Sequence, residues 1–240
     1  MIDNFQRRNS VMIKKLTMLI LGGLMVLSMG ACGNTETNHQ ANSETAETTA
    51  STAKTEDNIH SEQSEGGGKM LVAYFSLAGE QYGVGVIEEG NTSIIAHMIA
   101  EQTGADLFEI KAVNPYPTSH SELLDVSRKE MSDKARPEIA DTVDNMDDYD
   151  TVFIGYPNWW GDMPMIVYNF LESYDLSGKT IVPFCTHGGS GLSGTERTIE
   201  DITGGTMADG FAIAGTTAQN DRDTAKSKVT EWLREGGFVE

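Results

Sequence analysis

From Met70 the chain runs through six consecutive apolar or aromatic residues, Met70-Leu71-Val72-Ala73-Tyr74-Phe75, and comparable runs return at 151–156 and 180–186. Such runs, rich in β-branched and aromatic side chains and lacking polar alternation, are the pattern of strands covered on both faces. Residues 106–113 and 207–214 read as two further strands. Between them the apolar spacing changes to that of helices. Ile94, Ile95, Met98 and Ile99 share one face of a helix that starts at Asn91 or Thr92 as N-cap and stops at Gly104. Leu123, Leu124, Val126 and Met131 mark a helix over 119–135, closed by Pro137. Met165, Ile166, Phe170 and Leu171 mark one over 163–174. Residues 195–202 form another, ended by Gly204-Gly205 as a C-cap. Val229, Trp232 and Leu233 mark the last, over 221–235. Asn114-Pro115-Tyr116-Pro117 fits neither element and is a connection. Strand and helix alternate five times with no hairpin signal, which predicts an α/β domain. Its expected form is a doubly wound, five-stranded parallel sheet of order 2-1-3-4-5 with helices on both faces.

What precedes Met70 follows different rules. Arg7, Arg8, Lys14 and Lys15 lead into an apolar run over 16–27 and then Ser28-Met29-Gly30-Ala31-Cys32, the layout of a secretory leader. Met12 offers a compact alternative start. The run is short of the roughly 20 residues a membrane span needs. Gly30 and Ala31 before Cys32 resemble a bacterial lipobox, in which the Cys is diacylated; Met29 stands where Leu is usual. Residues 33–68 are mostly Ser, Thr, Asn, Gln, Glu and Gly with almost nothing apolar, too polar to bury enough surface to offset chain entropy. They read as a tether with a reach on the order of 30 Å. The expected organisation is therefore a leader over 1–31, an acylated Cys32 with its tether over 32–68, and one domain over 69–240 held outside the cytoplasm by a lipid anchor. The other reading is a misplaced start ahead of a cytoplasmic protein.

Charge and cysteine narrow the partners. The chain holds 17 Lys and Arg against 36 Asp and Glu, a net charge of −19. From Met70 onward the count is 11 against 28, a poor surface for nucleic acid. With Cys32 acylated, Cys185 is the one remaining thiol, so no intramolecular disulfide is expected. Its apolar strand suits a small buried hydrophobe. His39, His60, His97 and His120 show no ligand spacing, so no metal site is expected.

The chemistry lies where strands end. In the order 2-1-3-4-5 the first, third and fourth strands are neighbours, so the loops at their carboxyl ends converge on one rim. The first brings Ser76 to Gly90, Asn91 and Thr92 at a helix N-terminus, whose free N–H groups suit a phosphate. It holds no Lys or Arg, so hydroxyl and backbone donors would carry the phosphate alone. The second is Pro157-Asn158-Trp159-Trp160-Gly161, paired indoles in a turn, read either as core aromatics or as a ring-stacking wall. The third is Thr186-His187-Gly188-Gly189-Ser190-Gly191, where a ligand can approach main-chain donors. Phosphate nest, flat wall and main-chain donors together describe a site for flavin mononucleotide (FMN).

These residues resemble the flavodoxins, and within them a flavodoxin-like subfamily common among bacteria. The resemblance is carried by Ala73-Tyr74-Phe75-Ser76, by Gly90-Asn91-Thr92, by the stretch from Gly155 to Pro164, and by the stretch from Pro183 to Gly191. It implies non-covalent FMN, with the phosphate on Ser76, Asn91 and Thr92 and the ring between the second and third loops. Two departures stand out. The family's first loop is tight, whereas here 80–89 is inserted, placing Tyr82 where it could cover the ring or a substrate. The third loop lacks the Tyr of short electron carriers and is more like the Gly-rich turn of flavin-dependent quinone reductases, which leaves His187 as a substrate-side group or a solvated loop residue. A Thr-linked flavin motif is only faintly suggested by Asp201-Ile202-Thr203-Gly204-Gly205-Thr206. The expected function is an FMN-dependent oxidoreductase or electron carrier, passing electrons from a donor to a small quinone-like acceptor or a protein partner. The alternative is a flavin-free binding lipoprotein on the same scaffold. Asp162, with Glu80, Glu88 and Glu89, is expected to hold the second reduction of the flavin below the potential of the free cofactor.

Overall fold

The computed structural model describes residues 68–240, which lie within one compact unit. The leader, Cys32 and the tether fall outside the described residues. The strands are β1 (Met70–Tyr74), β2 (Gly79–Gln81), β3 (Gly85–Ile87), β4 (Asp106–Glu109), β5 (Thr151–Pro157), β6 (Thr180–His187), β7 (Thr206–Met207) and β8 (Phe211–Ala214). The helices are α1 (Asn91–Thr103), α2 (His120–Asp133), α3 (Met165–Glu172), α4 (Thr195–Thr203), α5 (Gly215–Asn220) and α6 (Arg222–Glu235), with a short 3-10 turn at Met146–Asp148.

The main sheet runs β4-β1-β5-β6-β7, with β8 continuing the edge beside β6, and all its pairings are parallel. Counted as five strands this is the order 2-1-3-4-5, the expected doubly wound fold. Side chains of successive residues point to opposite faces, and the core divides accordingly. Leu71, Ala73 and Phe75 join Val152, Ile154 and Tyr156 on one face, under α3 and α4. Val72, Tyr74, Phe153, Val182 and Phe184 lie on the other, under α1 and α6. The central strands are apolar throughout because both faces are covered.

Gly155 of β5 stands opposite Phe184 of β6. A Cβ there would lie 2.1 Å from Cζ of Phe184, whose ring is fully buried. Cys185 is likewise buried, its Sγ donating to the Gly191 carbonyl, and burial pushes its thiol up to about 12. Its thiolate is scarce at ordinary pH. In a Cys32→Ser chain a thiol reagent at pH 8 is therefore expected to label Cys185 slowly in the folded state and at once in urea. Rapid labelling without denaturant would mean that the strand end is open.

Several elements differ from the sequence reading. The expected 106–113 strand stops at Glu109, and Ala112 makes an isolated antiparallel bridge with Ile139. The expected 207–214 strand is broken into β7 and β8. At the break Gly210 lies against Leu192 and Pro183, where a Cβ would meet Leu192 Cδ1 at 2.7 Å. The helix expected over 163–174 begins at Met165, because Met163 and Pro164 belong to the turn before it. Gly90, rather than Asn91 or Thr92, is the N-cap of α1. The largest difference is the antiparallel hairpin β2–β3, in place of an irregular 79–90 loop. Its strands are three residues each, too short for a period-2 pattern, and Gly83 and Gly85 at its turn take positive φ. Helix α5, six residues with little apolar content, also left no pattern to read.

Candidate functional site

At the carboxyl ends of β5 and β6 lies a cavity of about 370 Å³, within the range of small-molecule sites. Of the expected site residues, Asn91, Pro157, Asn158, Trp159, Trp160, Gly161, Thr186, His187, Gly188 and Ser190 line it. Ser76, Gly90, Thr92, Gly189 and Gly191 do not.

The second loop is a tight turn. Trp159 N–H donates to the Asp162 carbonyl at 2.9 Å and Asp162 N–H returns to Trp159 at 3.0 Å. Trp160 and Gly161 between them have φ of 59° and 81°, the pattern of a type I′ turn. A Trp in the left-handed region is strained by about 1–2 kcal/mol, so something holds it there. Its Nε1 donates to Ser127 of α2 at 3.0 Å, and the Arg128 guanidinium lies 4.4 Å from the ring. Trp160 nevertheless stays 43% exposed. The two indoles therefore have different roles. Trp159 meets Phe75 and Tyr116 edge to face, with centroids 5.5 and 5.7 Å away, and is partly core. Tyr116 is fixed in turn by donating to Glu130 at 2.9 Å.

Asn158 couples the second loop to the third. Its Nδ2 donates to the Gly191 carbonyl at 2.8 Å and Ser193 Oγ at 2.9 Å, while Oδ1 accepts from Gly161 N–H at 3.1 Å. In the third loop Gly189 N–H donates to His187 Nδ1 at 2.9 Å. That N–H is therefore used inside the loop rather than offered to a ligand, and the His187 proton is left on Nε2. Burial lowers the His187 pKa and keeps the ring neutral.

The first loop is closed more tightly than the sequence suggests. Ser76 Oγ accepts from Ser93 N–H at 3.0 Å and so caps α1 from outside the helix. A Cβ on Gly90 would fall 2.2 Å from Ser76 Oγ and 2.5 Å from the Leu77 carbonyl, so only glycine allows this approach. Thr92 Oγ1 and Thr186 Oγ1 are 2.8 Å apart. Beside them Asn91 faces the cavity with its Oδ1 buried and without a partner among the described residues. It abuts Gly215, where a Cβ would meet Asn91 Nδ2 at 2.6 Å.

Sequence reasoning brought Tyr82 to the site but missed the rest of the far wall, which is Gln81, His120, Leu123, Leu124 and Ser127. The hairpin and α2 supply it. Glu80 N–H donates to the Thr118 carbonyl at 2.8 Å, and Glu80 Oε2 accepts from His120 N–H at 3.0 Å, fixing the hairpin to the start of α2. Tyr82 at its tip lies against Gly188, where a Cβ would be 2.9 Å from the ring. The apolar spacing of Leu123 and Leu124 was visible in the sequence; that it serves a cavity was not.

Among the described residues no carboxylate, Lys or Arg lines the cavity, so none of the acidic residues expected to tune a flavin borders it. Asp162 turns away to accept from Met163 N–H at 2.7 Å and from the Tyr168 hydroxyl at 2.9 Å. Glu80 caps α2, Glu89 pairs with Arg222 at 3.2 Å, and Glu88 is exposed.

Comparison with known proteins bears on the family and the fold. The flavodoxin family profile matches residues 69–235. A crystal structure of a protein assigned as a flavoprotein from Bacteroides eggerthii is 30% identical, covers 71% of this chain and 99% of its own, and superposes with a TM-score of 0.57. One from Bacteroides uniformis is 32% identical, covers 69% and 99%, and gives 0.55. A Lactobacillus acidophilus flavoprotein in complex with FMN is 22% identical, covers 69% and 99%, and gives 0.50. No curated protein matches the chain.

Proposed function

The chain belongs to the flavodoxin family, and from that premise we propose that it binds one FMN non-covalently in the cavity and passes electrons to a small flat acceptor or a protein partner. The observation that carries the reading is an uncharged cavity at the strand ends with an exposed, strained Trp on one side and an unsatisfied buried amide on the other. Those residues fit the cofactor. Trp160 offers an aromatic face for its ring. Asn91 Oδ1, an acceptor without a partner among the described residues, can take a hydrogen bond from a ribityl hydroxyl, beside Thr186. Ser76, Gly90 and Thr92 act behind it by shaping the start of α1, and Gly189 and Gly191 by shaping the third loop. The FMN complex of the Lactobacillus relative supports the choice of cofactor. When bound, FMN supplies one- and two-electron transfer. The chain binds and orients it: Asn158 holds the two loops together, His187 presents Nε2–H, and Leu123 and Leu124 supply apolar lining.

The test compares FMN with riboflavin on the flavin-free chain. FMN is expected to bind at least tenfold more tightly, by the charge-assisted bonds its phosphate makes. Equal affinities would show that the phosphate has no seat here.

The same reading places the domain outside the cytoplasm, tethered through an acylated Cys32; the leader pattern and the polar 33–68 stretch support it. Wild-type protein expressed in a bacterial host is expected in the membrane fraction carrying radiolabelled palmitate, and Cys32→Ser is expected without label. Label retained by Cys32→Ser would end the lipoprotein assignment.

A further inference from the structure

The far wall of the cavity has its own chemistry. His120 is the first residue of α2, and its ring lies 6.3 Å from that of Tyr82 with the planes 34° apart. Its Nδ1 is buried and has no hydrogen-bond partner among the described residues, whereas Nε2 is not among such buried atoms. A buried N–H without an acceptor is less favourable than a buried lone pair. The neutral ring therefore keeps its proton on Nε2. The loop geometry puts the His187 proton on Nε2 as well, because Nδ1 accepts from Gly189. Two imidazoles that line one cavity thus each carry a donor nitrogen, beside Gln81, Tyr82, Leu123, Leu124 and Ser127, with no charged side chain among the described lining residues.

A ligand that satisfies this wall is flat and uncharged and carries more than one hydrogen-bond acceptor. Carbonyl oxygens on an aromatic ring system meet each requirement.

We infer that His120 is a specificity-determining residue of an electron-acceptor compartment between the hairpin tip and α2, donating from Nε2 to a carbonyl oxygen of a quinone-class molecule, with His187 as the second donor. The inference rests on the reading of the cavity as an FMN site. Tyr82 and the two leucines supply the apolar contact and the imidazoles choose the carbonyl compound over a hydrocarbon of the same shape. The selectivity comes from geometry in the oxidised, resting protein, so it can be measured without turnover.

The experiment is equilibrium dialysis of FMN-loaded wild type, His120→Leu and His120→Gln against 2-methyl-1,4-naphthoquinone and, separately, 2-methylnaphthalene, with FMN affinity measured on all three proteins. His120→Leu is expected to weaken the quinone about tenfold, the scale of one lost hydrogen bond, and to change the hydrocarbon less than twofold. His120→Gln, which keeps an N–H donor, is expected to recover most of the loss. Quinone and hydrocarbon weakened alike, or Gln no better than Leu, would reduce His120 to packing and overturn the proposal. A wild type that takes up no FMN overturns the flavin reading and this proposal with it. FMN uptake by all three proteins, with quinone affinity indifferent to residue 120, overturns this proposal alone.

Discussion

Replacing Trp160 with Ala is expected to weaken FMN binding by about 1–3 kcal/mol, or roughly 5- to 150-fold, while leaving the unfolding midpoint almost unchanged. The separation of the two effects follows from where the indole sits. Its ring lies on the cavity and is 43% exposed, so little core packing depends on it. Removing it also relaxes a side chain held at φ 59°, which offsets the lost bond to Ser127. Trp159→Ala is the contrasting case. Its edge contacts with Phe75 and Tyr116 tie it to the core, so affinity and stability should fall together. Isothermal titration of flavin-free protein with FMN, beside urea unfolding of each variant, separates the outcomes. An unchanged FMN affinity in Trp160→Ala would remove the ring from this wall.

Gly155→Ala is expected to produce the largest loss of stability of any single methyl addition in the central strands, about 3 kcal/mol or more. The added Cβ would lie 2.1 Å from the Phe184 ring, and both strands are central and fully covered. Neither can move aside without disturbing its parallel neighbours. Because the clash is with one side chain, the double variant with Phe184→Leu should recover part of the loss. Urea midpoints of the four proteins measure the coupling. Strict additivity would show that the strain lies in the backbone and not in the pair.

The sheet was legible because its physics is local. A strand covered on both faces must be apolar throughout, and β1, β5 and β6 state that plainly. The rim loops followed from topology, since three neighbouring strands end on one side. The hairpin and the far wall were not legible. Gly79-Glu80-Gln81 and Gly85-Val86-Ile87 are too short to show alternation, and they are held by a carboxylate on the first N–H of α2, a contact between residues 40 apart. The division of labour between Trp159 and Trp160 was hidden for a similar reason: it depends on a turn with two positive φ angles and on Ser127, 33 residues away. Adjacency in sequence to the Trp pair does not fix where the Asp162 carboxylate points. Here the Tyr168 hydroxyl draws it away from the cavity.

The central claim is that this chain holds one FMN without a covalent bond. The domain from Lys69 onward, incubated with excess FMN and then desalted, is expected to remain yellow with one flavin per chain. Acid precipitation should release all of it as FMN. A colourless protein after desalting, or a flavin that stays with the precipitate, would contradict the account.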